Sequence, residues 1–383
     1  MENIGKISFE RQTELGRGYG GTLVCRGRFE QRNVAVKILS KNYFKFFQRE
    51  VSILQSVDSH PNVVRYFCSE EDNKYYYIAL EMCTCTLDEW ISRSDLVKKI
   101  NPTKILYETA LGLSFLHTMT IIHRDIKPQN VLLCIQPTGA VTKLSDFGMA
   151  KDFSHDSQST VSSMSLSDNW MAPELSSHHK ANRSTDVYSL GCVYYYTLTQ
   201  GQNLRENSKV LSSKQGHSVV LANALIMNMT KLEPNQRPTS AKVASNPLFW
   251  KAEKLLNFIV DISNKLEKRD SSSDQIRSEM KTIESDIVGG DWLKKLDAEI
   301  VRNLQQRRGY NGTSMEDLIR AIRNKRAHYE ETSNEIKEIF GQLPEKFLHY
   351  WTSRFPKLIH ALYIIANRYL LNDPTFHNLY LSE

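Results

Sequence analysis

The sequence predicts a bilobal α+β fold, a small strand-rich lobe followed by a larger helical one, with an all-α module attached at the C-terminal end. Three observations carry this expectation. The first 83 residues alternate short strand-like runs around a glycine-rich turn, with one amphipathic helix among them. Residues 84–250 are mainly helical in pattern, interrupted by polar loops. After Asn246-Pro247-Leu248-Phe249-Trp250 a further 133 residues keep helical periodicity and show no strand alternation. The expected division is 1–83, 84–250 and 251–383.

Composition sets the limits. A chain of 383 residues, 40% hydrophobic and 24% charged, has room for two or three domains and a substantial core. No apolar run reaches the roughly 20 residues needed to span a bilayer, and the start Met1-Glu2-Asn3-Ile4-Gly5 lacks a signal-peptide pattern. The expectation is a soluble, cytoplasmic chain. Six cysteines, at 25, 68, 83, 85, 134 and 192, form no Cys-x-x-Cys metal pair and predict reduced thiols in a cytosol-facing environment. A net charge of +6 is too mild to argue for nucleic acid by itself.

From 7 to 29 the chain reads strand, glycine turn, strand, with Gly16-Arg17-Gly18-Tyr19-Gly20-Gly21 at the bend. Gly16, Gly18 and Gly21 let the backbone approach phosphate oxygens, although a dinucleotide-binding fingerprint looks the same in one dimension. Context separates the two. Thr22-Leu23-Val24-Cys25 is strand-like and a second strand, Val34-Ala35-Val36-Lys37, follows at once, as in protein kinases. Lys37 is then expected to hold the α- and β-phosphates, with Glu50 as the acidic partner that positions it. Glu50 lies in a helical stretch, 43–55, whose Phe47, Val51 and Leu54 recur at helical spacing; the plain alternative is a solvated helix charge. After His60-Pro61-Asn62, residues 63–68 and 75–81 read as strands. The second leads into Glu81-Met82-Cys83, where Glu81 and Cys83 would meet adenine through backbone groups at a hinge.

The chemistry concentrates in His123-Arg124-Asp125-Ile126-Lys127-Pro128-Gln129-Asn130, which has the spacing of a protein-kinase catalytic loop. Asp125 can accept the proton of an attacking hydroxyl, and Lys127 can offset charge on the transferred phosphoryl. Asn130 and the Asp146 of Asp146-Phe147-Gly148 can hold Mg2+. A charged surface turn is the plain alternative for any one of these, but not for the set. Between Asp146 and Ala172-Pro173-Glu174, residues 151–167 are rich in hydroxyls; phosphates there would pair with Arg124 and order the segment. Asp186, and Arg237 bracing Glu174, read as architectural. Residues 200–220 are short and polar, where many kinases place a longer substrate-docking region.

The last 133 residues begin with an amphipathic helix, 251–267, and a polar break, 268–274. Between Arg302 and Arg326 seven Lys/Arg stand against Glu316 and Asp317, a local +5, for which a solvated helix face is the usual cause. Thr313 and Glu316 have capping-box spacing, so a helix should start near Ser314. At about 100° per residue, Met315, Leu318, Ile319 and Ile322 share one side, and Arg320, Asn324 and His328 the other. With Tyr310 just upstream, such a face has the components of metal-independent RNA cleavage: a base for the 2′-hydroxyl, a donor to the phosphate, and an acid for the departing 5′-oxygen. His328 suits the acid, since an imidazole ordinarily titrates near pH about 6.5. A phenol is a weaker base at about 10, so Tyr310 would need cations such as Arg307, Arg308, Arg323 and Lys325 nearby. A lone exposed His is the structural alternative.

The kinase motifs followed by Pro247-Leu248-Phe249-Trp250, Tyr310-Asn311-Gly312, Leu318-Ile319-Arg320-Ala321-Ile322-Arg323-Asn324-Lys325-Arg326-Ala327-His328-Tyr329, Leu343-Pro344 and Ser353-Arg354-Phe355-Pro356 closely resemble the cytosolic half of the inositol-requiring enzyme family. These are the kinase/endoribonucleases of the unfolded-protein response. RNase L resembles it more distantly; its kinase part has lost catalytic residues, whereas Lys37, Asp125, Asn130 and Asp146 are present here.

The resemblance implies an α+β bilobal protein kinase fold followed by an all-α, KEN-type endoribonuclease domain. It implies Tyr310 as base, His328 as acid, and Arg323 and Asn324 at the scissile phosphate, giving 2′,3′-cyclic phosphate ends with no cofactor for the nuclease. It further implies ATP or ADP with Mg2+ in the kinase site, and an RNA substrate. A back-to-back homodimer or higher oligomer, promoted by nucleotide and autophosphorylation, would activate cleavage. Localisation at the cytosolic face of the endoplasmic reticulum would need an upstream membrane span, which these 383 residues do not include. Ala327 stands where many members carry a second His. The alternatives are an RNase L-like RNA-decay nuclease, a Ser/Thr kinase whose tail only docks, and a scaffold that keeps ATP as a structural ligand.

Overall fold

The computed structural model describes residues 1–18, 21–93, 100–137, 139–152, 169–177, 180–207, 211, 216–268, 270–306 and 308–382. Contacts divide the chain into two units, Met1–Lys209 with Leu225–Ala244, and Val210–Ala224 with Ser245–Glu383.

The first unit opens with a six-stranded antiparallel sheet made of β1 (Glu2–Ile4), β2 (Ile7–Arg17), β3 (Leu23–Phe29), β4 (Arg32–Ser40), β5 (Tyr66–Glu71) and β6 (Tyr75–Glu81), in the order β1-β2-β3-β4-β6-β5. Alternation in β4 sends Val34, Val36 and Ile38 into one apolar cluster with Phe9, Cys25 and Tyr77. Lys37, between them in sequence, therefore faces the other side of the sheet. The Phe44–Val57 helix buries Glu50, Ile53, Leu54 and Val57. This stripe is rotated from the expected Phe47–Val51–Leu54 face, because a carboxylate takes part in it; Phe47 instead stacks on Tyr76, with ring centroids 4.1 Å apart. The strand expected at 63–68 runs from Tyr66 to Glu71, while Val63 forms a parallel bridge to Leu144.

Two long helices frame the catalytic loop. Pro102–Thr118 starts on an Asn101 cap with Pro at its first position, and Arg183–Leu198 starts on Asn182, whose side chain accepts from the Ser184 and Thr185 amides. Asp186, in the first turn of the second helix, reaches His117 Nε2 at 3.0 Å, while His117 Nδ1 meets Ser240 Oγ at 2.8 Å. This buried network pins the loop between the helices.

The second unit has helices joined by turns and no strand among its described residues, with Ala252–Glu267, Ser271–Val288, Met315–Ala327, Glu345–Arg354 and Leu358–Tyr369 as its main helices. They close over one core containing Phe258, Ile259, Trp292, Leu318, Ile322 and Trp351. The polar break is shorter than expected. Asp270 caps the Ser273 amide, so the serines that look like a linker form the first turn of a helix. No helix among the described residues is long and apolar enough to cross a membrane.

Candidate active sites

In the first unit Lys37 Nζ lies 2.6 and 2.8 Å from the Glu50 carboxylate and 2.8 Å from Asp146 Oδ1. Burial disfavours the charged ammonium, but Asp146 and then Glu50 outweigh it and hold its pKa above the ordinary value. Burial likewise opposes the charge on Asp146, yet Lys37 brings its pKa down to about 2. Asp146 sits at φ +64°, a left-handed conformation that Asp tolerates better than most residues. Asp125 Oδ2 meets Lys127 Nζ at 2.7 Å and accepts from Asn130 Nδ2 at 2.8 Å. The loop is held from beneath: Asp186 accepts from the backbone amides of His123 and Arg124, both at 2.8 Å. Arg237 grips Glu174 with both terminal nitrogens, at 2.6 and 2.8 Å.

At the glycine turn Gly16 pairs with Val24, the Gly18 amide donates to Thr22 O at 2.8 Å, and Gly21 takes φ +76°. At the hinge the Glu81 side chain is engaged by Lys143, 2.9 Å away. Cys83 departs from expectation: it is joined to Cys134 as a disulfide, with Cα atoms 4.4 Å apart, where the sequence predicts reduced thiols. The antiparallel pairing of Cys85 with Leu133 brings the two together, a relationship that their separation in sequence does not signal. Of the activation segment expected at 151–167, residues 153–167 lie outside the described residues. Its expected anchor, Arg124, is part-buried; burial and then nearby Arg49 lower its pKa.

In the second unit the candidate base hangs from a tryptophan. Trp292 donates its amide to Gly312 O at 2.8 Å and its indole Nε1–H to Asn311 O and Ser314 O, each at 3.1 Å. A Cβ on Gly312 would collide with the Asp291 carboxylate, which caps the Leu293 amide. The Met315–Ala327 helix then starts on Ser314, whose hydroxyl accepts from the Asp317 amide. The cap is thus one residue later than the Thr313–Glu316 pair. Met315, Leu318, Ile319 and Ile322 are fully buried, as their periodicity predicts.

That burial turns Asn324 toward the loop. Its Nδ2 donates to the Tyr310 hydroxyl at 3.0 Å, and its Oδ1 accepts from Arg323 Nε at 3.2 Å and Nη2 at 3.1 Å. Arg323 also meets Glu267 at 2.6 Å and Asn264 at 3.4 Å. His328 ends the helix, and its Nδ1 lies 3.0 Å from Glu331 Oε1. Of the cations expected around Tyr310, Lys325 is instead buried and bonded to Asn303, and Arg307 lies outside the described residues. Trp292, Glu267 and Glu331 escaped sequence reasoning. The i,i+3 spacing of His328 and Glu331 was the one available signal.

Residues 9–279 match the family model for the protein kinase domain. The chain belongs to the protein kinase family. Residues 255–380 also match the model for Ribonuclease 2-5A, so the kinase motifs are followed by a second catalytic family's signature. A human protein named serine/threonine-protein kinase/endoribonuclease IRE2 is 38% identical over 378 residues, covering 93% of this chain and 41% of its own. The Caenorhabditis elegans kinase/endoribonuclease ire-1 is 33% identical, covering 99% of this chain and 41% of its own. A Schizosaccharomyces pombe protein named sensor for unfolded proteins in the ER ire1 is 33% identical, covering 94% of this chain and 38% of its own. This kinase thus spans about two-fifths of the length of these relatives, and they bear out the resemblance read from its motifs. A protein kinase domain implies ATP and Mg2+. Asn130 and Asp146 offer the hard oxygen donors that Mg2+ takes, beside the Lys37 ammonium suited to phosphate.

Proposed function

We propose that this chain is a Ser/Thr kinase and a metal-independent endoribonuclease, in which nucleotide binding and autophosphorylation promote a back-to-back dimer that cleaves RNA in the unfolded-protein response. The domains are 1–83 and 84–250 for the kinase lobes and 251–383 for the nuclease. The carrying observation is the Tyr310–Asn324–Arg323 cluster in a chain whose kinase residues are also assembled. The name of the Schizosaccharomyces pombe relative, a sensor for unfolded proteins in the ER, supports the unfolded-protein response over general RNA decay. That name also supports a place at the endoplasmic reticulum, and the cytosolic face is part of the proposal.

In the kinase, Asp125 accepts the proton of the attacking hydroxyl, Lys37 orients the nucleotide phosphates, and the glycine turn at 16–21 covers them. Asn130 and Asp146 would hold Mg2+, which would supply positive charge to the phosphates. The backbone at Glu81 and Cys83 receives adenine. Arg124, with Arg49 near enough to act on its charge, is a cation suited to pair with a phosphorylated activation segment. In the nuclease, Tyr310 takes the proton of the 2′-hydroxyl, which attacks phosphorus. Asn324 and Arg323 hold the non-bridging oxygens as charge develops, and His328 protonates the departing 5′-oxygen. The products carry 2′,3′-cyclic phosphate and 5′-hydroxyl ends.

The test is cleavage of a labelled stem-loop RNA in EDTA by wild type and His328→Ala, across a range of protein concentration. Cleavage that survives chelation, rises more steeply than linearly with concentration and vanishes in the variant supports this reading. Cleavage proportional to concentration from a strictly monomeric preparation overturns the dimer requirement.

A further inference from the structure

We infer that Glu331 is a positioning residue for RNA cleavage, holding the His328 ring so that Nε2 faces the leaving oxygen. The inference rests on the reading of His328 as the acid. The two residues meet across a turn that is built rather than loose. The His328 amide ends the helix on Asn324 O at 3.1 Å, the Thr332 hydroxyl reaches back to His328 O at 2.9 Å, and the Thr332 amide reaches Tyr329 O at 3.1 Å. Tyr329, between them, is buried and anchors the turn through its hydroxyl to Gly341 O at 2.9 Å. The two adjacent glutamates divide. Glu330 turns to Lys337, 2.9 Å away, and Glu331 turns to His328 Nδ1 at 3.0 Å.

The His328 and Glu331 side chains are 52% and 59% exposed, so as a surface ion pair they add little to stability. Their geometry does something a stability contact need not do. A ring bonded at Nδ1 has its rotation restrained and its other nitrogen left for substrate, the way a carboxylate orients a catalytic imidazole. In the step itself the Tyr310 phenolate takes the 2′-hydroxyl proton, and the 2′-oxygen forms its bond to phosphorus. The phosphorus–O5′ bond breaks with its electron pair remaining on oxygen. The Nε2–H bond breaks as that proton passes to O5′. The ring keeps its Nδ1–H toward Glu331.

The experiment compares wild type, Glu331→Ala, Glu331→Gln, His328→Ala and, as a charge-removal control, Glu330→Ala on the stem-loop RNA in EDTA. The same RNA with sulfur replacing the bridging 5′-oxygen is run in parallel, because a thiolate leaves without an acid. The expected result is a fall in kcat of about tenfold to a hundredfold for Glu331→Ala, a fraction of what a general acid contributes. KM should stay within about twofold, the Gln variant, which keeps an acceptor, should lose less, and the sulfur substrate should be cleaved at the wild-type rate. Glu330→Ala should match wild type on both substrates. An unchanged kcat for Glu331→Ala beside an inactive His328→Ala overturns the positioning role alone. So does an equal loss on both substrates, which would mark a structural effect. A fully active His328→Ala overturns the assignment of the acid, and this inference with it.

Discussion

The Asn324 side-chain amide donates to the Tyr310 hydroxyl at 3.0 Å, joining a helix residue to a loop residue fourteen positions earlier. The contact sets where the phenol oxygen sits, and it leaves a donor beside the place where a phosphate would enter. Tyr310→Phe should therefore abolish RNA cleavage while leaving the melting temperature within a degree or two. Asn324→Ala should lower kcat by about a hundredfold to a thousandfold, the usual loss for one donor to a developing oxyanion. Single-turnover kinetics with a thermal melt of each variant checks both.

Glu267 holds the Arg323 guanidinium that the proposed chemistry needs for phosphate. It also adds a negative charge beside the cluster proposed to meet RNA. Glu267→Gln should lower KM for RNA about two- to fivefold, the effect of roughly 0.5–1 kcal/mol, with little change in kcat. The gain should shrink as salt is raised. Initial rates at low and high ionic strength would sink the idea if KM stayed constant.

Lys37 is the cation between two carboxylates, and Glu50 is 1% exposed. Lys37→Ala strands that buried charge, and breaking such a pair costs about 3–5 kcal/mol. Autophosphorylation should be lost, and the denaturation midpoint of the kinase transition should fall. Loss of activity with no change in midpoint would contradict the buried pairing.

The same triad fixes a pH dependence. Lys37 holds the Asp146 carboxyl at about 2, below the roughly 3.9 of a free Asp. A depressed carboxylate contributes stability that is fully present above the unfolded value and is lost as the pH falls toward the folded one. Burial pushes the Glu50 carboxyl up, and without Lys37 it takes its proton at higher pH still. The stability difference between wild type and Lys37→Ala should therefore narrow progressively as the pH falls, with the share carried by Asp146 lost between about 4 and 2. Chemical denaturation at several pH values measures it.

Much of this was legible in the sequence because phosphoryl transfer needs particular side chains at short spacing. Asp125, Lys127 and Asn130 fall within six residues, and the structure brings them together. The buried side of the Met315–Ala327 helix was legible because Met315, Leu318, Ile319 and Ile322 recur at helical spacing, and only the buried Lys325 breaks the pattern. Elsewhere one rule overrode another. Burying Glu50 for the sake of Lys37 broke the apolar period of its helix and hid the true stripe. Thr313 and Ser314 are both good caps, and only geometry chooses between them. Contacts that span long stretches of chain, such as Arg323 with Glu267 or Cys83 with Cys134, leave no periodic trace.

Gly312 lets the Tyr310 loop close onto Trp292 with no room for a single added carbon, because the Asp291 carboxylate fills that space. Gly309, three residues earlier, has open space around it. Randomising each codon under selection for RNA cutting should thus favour glycine at 312, where any other residue must first displace the Asp291 carboxylate from the Leu293 amide, and accept a broad spectrum at 309. The hydroxyl's placement rests on a tight seam in which the Trp292 amide and the Asp291 carboxylate leave position 312 no side chain of its own.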